Sequence, residues 1–247
     1  MSMKSKKITR IAMWSGPRNI STAMMRSFEN REDTIVIDEP FYAYYLNESG
    51  LVHPGKGQIL KSQSNNWHDV VEKITSELPD SAAIYYQKHM AHHILPNNDM
   101  EWVKSFKNCF LIRHPKEVII SYSKKNEIKN ASDLGFLQQV QLFKKIKNIT
   151  GITPAIFDSM DILLDPKVLL KKLCKYLEIE FSNKMLKWPK GARDTDGVWA
   201  SHWYKNVINS DGFKPYNKRN EDLNINHIKL FEESMEYYNY LSLSKYK

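Results

Sequence analysis

The segment Ser15-Gly16-Pro17-Arg18-Asn19-Ile20-Ser21-Thr22 gathers groups of the kind that hold a phosphate. Gly16 permits a tight turn, and a helix starting just beyond it directs unpaired backbone N–H groups and a positive dipole end at an anion. Arg18 adds a fork of donors, and Ser21 and Thr22 add hydroxyls. The Gly-x-x-x-x-Gly-Lys-Ser/Thr pattern of the standard nucleotide-triphosphate loop is absent. A second pair lies downstream, Arg113 with Ser121 eight residues on. An Arg at a strand end and a Ser two turns into the next helix can grip one phosphate between them, bidentately from the guanidinium. Glu39 follows an apolar run, and Lys88 is followed by His89, His92 and His93. The carboxylate and the imidazoles are candidate general bases. A single histidine is more often a packing residue than a functional one; three within five residues are less easily dismissed. A metal site would want acids or thiolates beside them, and the nearest is Asp99. A serine hydrolase would need a Gly-x-Ser-x-Gly elbow, which does not occur.

Taken together, these groups resemble the sulfotransferase family, whose members transfer a sulfuryl group from 3′-phosphoadenosine 5′-phosphosulfate (PAPS). The resemblance implies that Ser15–Thr22 holds the 5′-phosphosulfate, with Arg18 where the family has a basic residue and Ser21 and Thr22 matching its hydroxyls. It implies that Arg113 and Ser121 hold the 3′-phosphate. A third segment, Lys190-Gly191 followed by Gly197-Val198-Trp199, resembles the family's C-terminal Lys-Gly…Gly-x-Trp element, which closes over that phosphate. Its spacing departs from the pattern, and Asp194 and Asp196 intrude. Bacterial relatives with a Gly-x-Pro-Arg loop place a Glu much as Glu39 stands here, which implies Glu39 as base and Lys88 as a helper of the leaving group. His89, His92 and His93 are its rivals, because other branches use a Lys-x-His pair that is spaced differently. The implied co-substrate is PAPS with no metal required, and the implied acceptor is a small molecule with a hydroxyl or amine. The resemblance spans roughly residues 8–202 and leaves the rest of the chain unexplained.

Five short β-rich runs, Ile8–Ser15, Thr34–Ile37, Ala83–Lys88, Cys109–Arg113 and Ala155–Phe157, must position these groups. Helical spacing falls between them. Ile20, Ala23, Met24 and Phe28 share one face; residues 68–78 form another such pattern; Pro115 opens a helix; Asp165-Pro166 caps and begins one with Leu169, Leu170, Leu173 and Leu177 inside. A last helix is expected from about Leu223 to Tyr240, and residues 190–220, rich in aromatics but aperiodic, read as a long loop. Apolar strands alternating with helices mean a three-layer α/β/α fold with a mostly parallel central sheet. The resemblance makes it P-loop nucleoside-triphosphate-hydrolase-like. Ligands of such sheets sit beyond the carboxyl ends of the strands, where Ser15–Arg18, Asp38–Pro40, Lys88–His93 and Arg113–His114 fall.

The 247 residues, 42% hydrophobic and 26% charged, suit one domain spanning 1–247, with an ordered core of about 8–240. No apolar run is long enough to span a membrane. The net charge is +8, and residues 104–147 hold ten Lys/Arg against three acids. That stretch is either an anion-binding surface or a solvated helical face. Cys109 and Cys174 sit in apolar patterns as buried thiols would. Lys4, Lys6 and Lys7 precede too short an apolar stretch for a signal peptide, so a cytoplasmic protein is expected. Two alternatives stand: a P-loop-type small-molecule kinase using ATP and magnesium, with Asp38 as the metal-holding acid, and a non-catalytic binder of anionic partners. No nucleic-acid-binding motif is present, and neither the acceptor nor the oligomeric state has a sequence signature.

Overall fold

The computed structural model describes residues 8–79, 81–218 and 221–246, so Lys4, Lys6 and Lys7 lie outside it. Strands β1 (Thr9–Ser15), β2 (Thr34–Asp38), β3 (Ile84–Met90), β4 (Lys107–Ile112) and β5 (Ala155–Asp158) form one parallel sheet in the order β2-β3-β1-β4-β5. The helices are α1 (Ser21–Glu29), α2 (Tyr42–Ser49), α3 (Lys56–Ser62), α4 (Trp67–Thr75), α5 (Pro115–Ser123), α6 (Phe136–Thr150), α7 (Ser159–Leu164) and α8 (Pro166–Leu177). Two single turns, α9 (Ala200–Trp203) and α10 (Lys205–Ile208), and the closing α11 (Ile228–Ser242) complete the set. Among the described residues no helix is long and apolar enough to cross a membrane.

Strand side chains alternate faces, and here both faces are covered. Ile11 and Met13 of β1, with Cys109 and Leu111 of β4, pack against Met24 and Phe28 of α1 and Leu173 of α8. Ala12 and Trp14, with Phe110 and Ile112, pack on the other side against Phe143 and Ile146 of α6. This is why β1 and β4 carry unbroken apolar runs, Ile11–Trp14 and Cys109–Ile112. Helix starts follow local chemistry. The Asp165 side chain accepts from the backbone N–H of Val168 with Pro166 in the first turn of α8, and Pro115 occupies the same early position in α5.

Three expectations need correction. β3 runs two residues past Lys88, because His89 and Met90 stay in register with Trp14 and Ser15 of β1. Residues 190–220 are not a bare loop: α9 and α10 form there, and Lys187 bridges Gly212 antiparallel. The last helix begins at Ile228, preceded by a 3₁₀ turn over Ile225–His227. The basic stretch is largely dispersed into local pairs. Lys104 faces Glu101, Lys107 faces Glu178 and Lys124 faces Glu221, which is what a solvated face looks like.

Candidate active site

The turn after β1 is crowded and tightly tied. A Cβ on Gly16 would stand 2.5 Å from the Gln139 side-chain nitrogen and 3.3 Å from the Leu134 carbonyl, so only glycine fits without displacement. Pro17 follows, then Arg18 with φ 56°, a left-handed conformation that L-residues adopt at a cost. Asn19 fastens the turn to β4, donating from its side chain to the Leu111 carbonyl at 2.9 Å. Among the described residues no side chain caps α1, which leaves its first backbone N–H groups, at Ser21 and Thr22, without a side-chain competitor there.

Arg18 Nε donates to Ser121 Oγ at 3.0 Å, and Arg113 donates to the Arg18 carbonyl at 2.8 Å. Residues more than ninety positions apart in sequence thus form one cluster. Glu117, one helical turn after Arg113, steadies it: its carboxylate accepts from Arg113 Nε at 2.9 Å and from the Tyr216 hydroxyl at 2.7 Å. A cavity of about 550 Å³ opens here, bordered by Arg18, Arg113, Ser121, Phe213, Lys214 and Tyr216.

A second cavity, about 520 Å³, lies on the other side of Arg18. Arg18, Asn19, Thr22, Trp203 and Tyr204 border both. At its base stands a buried charge cluster. Lys88 Nζ donates to Asp38 Oδ1 at 2.8 Å, to the Tyr204 hydroxyl at 2.6 Å and to Glu39 Oε1. Tyr204 in turn donates to Asp38 Oδ2 at 2.6 Å and accepts from the Trp199 indole N–H at 3.0 Å, while the Gly197 backbone N–H also reaches Asp38 Oδ2 at 3.1 Å. Glu39, like Arg18, has a positive φ, here 41°.

One ammonium between two carboxylates leaves a surplus negative charge out of water. Burial raises the proton affinity of Glu39, Lys88 opposes, Asp38 adds to the rise, and the net direction is upward. For Lys88, burial pulls downward but the two carboxylates outweigh it, so the ammonium stays charged. A carboxylate with raised proton affinity, held by an ammonium at the edge of a cavity, is a serviceable proton acceptor near neutral pH.

The histidines separate. His89 projects from the sheet face opposite Lys88; its ring stacks on Trp14 at 4.4 Å and its Nε2 meets Gln87 Oε1 at 3.0 Å. The alternation of β3 therefore withdraws it from the site, as a packing residue. His92 and His93 border the second cavity, with His93 sandwiched between Tyr42 at 4.6 Å and Tyr45 at 4.8 Å and its Nε2 4.0 Å from Glu39 Oε2. Burial holds both neutral, His92 down to about 3. Lys190 and Gly191 border neither cavity. Lys190 is exposed beside Asp211 at 3.6 Å, and the Gly191 N–H donates to the Ile208 carbonyl. Trp199 is buried and touches the site through Tyr204 rather than through a ligand surface. Of the groups that sequence leaves without a role, Glu117 had a signal, the i,i+4 spacing to Arg113. Tyr204 had none.

A model of the sulfotransferase domain matches residues 9–243. The chain belongs to the sulfotransferase family. Over 231 residues this sulfotransferase domain is 35% identical to branched-chain-amino-acid aminotransferase-like protein 1 of Arabidopsis thaliana and 33% identical to protein 2 of that name. The match covers 94% of this chain and 41% of each relative, so the chain spans about two fifths of their length. It is similar in fold to the sulfotransferase domain from the curacin biosynthetic pathway, with a TM-score of 0.56 at 15% identity over 96% of this chain and 99% of that one. The five-stranded parallel sheet of this member of the family is accordingly of the P-loop-like α/β type.

Proposed function

We propose that this sulfotransferase, a single domain, moves the sulfuryl group of PAPS to a hydroxyl or amine of a small acceptor, with Glu39 taking the acceptor proton. The observation that carries the reading is the position of Arg18, on the wall between two cavities, bonded on one side to Ser121 and through its carbonyl to Arg113. The donor set fits a bisphosphorylated nucleotide: two guanidinium groups, a serine hydroxyl and the uncapped start of α1. When bound, PAPS supplies a sulfuryl group on a phosphate that leaves. Arg113 and Ser121 bind the 3′-phosphate, the start of α1 binds the 5′ end, and Arg18 meets charge growing on the leaving oxygen. Lys88 holds Glu39 in place as base. The kinase alternative is disfavoured by Asp38, whose oxygens are engaged by Lys88, Tyr204 and the Gly197 N–H rather than turned to a metal.

Calorimetric binding of adenosine 3′,5′-bisphosphate beside ADP and ATP, with and without magnesium, tests the reading. Magnesium-independent preference for the bisphosphate is expected; preference for ATP with magnesium overturns it. Arg113→Ala should weaken the bisphosphate by about 1.5–3 kcal/mol, the value of a charge-assisted contact, and leave ADP nearly unchanged. Equal losses for both nucleotides would place the 3′-phosphate elsewhere.

A further inference from the structure

The acceptor-side cavity has a charge balance that selects among small acceptors. Glu39, Glu127 and Asp133 border it, with Asp38 directly behind, against Lys88 and Lys129; Arg18 stands on the wall shared with the nucleotide cavity. Lys88 is spent on Asp38 and Glu39. Lys129 is exposed, and its backbone N–H donates to Asp133 Oδ2 at 2.8 Å. The imidazoles add no positive charge, since burial holds His53, His92 and His93 below the usual histidine range. His93 is 2% exposed, and its Nδ1 has no hydrogen-bond partner among the described residues. Tyr45, Tyr122 and Trp203 border the same cavity as Asp133.

Aromatic rings and the carboxylates of Glu39, Glu127 and Asp133, with Lys88 committed to Asp38 and Glu39 and Lys129 exposed to solvent, suit an organic cation better than an anion. We propose that the acceptor is a small cationic alcohol: an ammonium or quaternary ammonium group seated among Tyr45, Tyr122 and Asp133, with a hydroxyl presented to Glu39. This rests on the sulfuryl-transfer reading above. In the step, the acceptor oxygen forms a bond to sulfur as the bridging sulfur–oxygen bond to the phosphate breaks. The hydroxyl proton passes to Glu39, and the bond pair leaves on the phosphate oxygen beside Arg18.

The test is calorimetry, with adenosine 3′,5′-bisphosphate present, of (2-hydroxyethyl)trimethylammonium against its uncharged isostere 3,3-dimethylbutan-1-ol. The cation should bind at least about fivefold tighter, the scale of a partly desolvated cation–aromatic contact. Asp133→Asn should bring the two toward parity. It keeps an oxygen for the backbone N–H groups of Lys129 and Asn130, so the turn stands. Tyr122→Leu, away from that turn, should act in the same direction. Equal or tighter binding of the isostere, or no binding of either at millimolar concentration, overturns the inference. Binding of the bisphosphate is read separately, so its failure condemns the sulfuryl-transfer reading and its success with no cation preference condemns only the acceptor.

Discussion

Glu39→Gln should lower turnover by about 10²–10⁴-fold, the usual worth of a positioned proton acceptor, with affinity for adenosine 3′,5′-bisphosphate unchanged. The amide keeps the shape of the carboxylate and can still accept from Lys88, but it cannot take a proton. Because burial and Asp38 together outweigh Lys88 at Glu39, the acid limb of the wild-type pH–rate profile should lie above the ordinary glutamate range and vanish in the variant. The same shift fixes a stability trend. A carboxyl whose folded proton affinity is raised contributes stability fully below its unfolded pKa and loses it as pH rises through the folded one. Glu39→Gln removes that loss, so the variant should gain on the wild type between the ordinary carboxylate range and neutrality. Initial rates with an acceptor that supports turnover, and thermal midpoints across pH, check both. Undiminished turnover would pass the role of base to His93 or His92.

Lys88→Met should produce the largest loss of stability, about 3–5 kcal/mol, because it leaves two carboxylates buried without their ammonium. For a chain of this size that is a fall of roughly 6–20 °C in thermal midpoint. The deficit should shrink toward acid pH, where Glu39 can take up a proton to replace the lost charge. Combining Lys88→Met with Glu39→Gln should recover part of it, since one uncompensated carboxylate then remains. A single variant as stable as the wild type would mean that the cluster carries far less charge than its geometry implies.

Much of this molecule was legible in its residues, and the parts that were not share a cause. The layering followed from apolar strands alternating with helical periods, and the family from the loop after β1 together with the eight-residue spacing of Arg113 and Ser121. The meeting of Lys88 with Tyr204 joins positions 116 apart, and nothing local marks it. His89 stood with His92 and His93 as a rival base until β3 proved two residues longer, since each residue added to a strand turns its side chain to the other face. Lys190 and Gly191 matched a motif by type but sit where Asp211 and the Ile208 carbonyl satisfy them.

Arg18 and Glu39 both hold left-handed backbone conformations, each costing a non-glycine residue about 1–2 kcal/mol. The two side chains to which we assign the transfer chemistry are therefore also two places where the polypeptide resists its own shape. Glycine would relax the chain at either position, and at position 39 it would also spare the enzyme a buried charge. Selection for thermal robustness alone should thus erode these two positions first. A library sorted by heat resistance would accumulate well-folded, inert proteins, and persistence of Arg18 and Glu39 in any working descendant marks the pull of catalysis against that of folding.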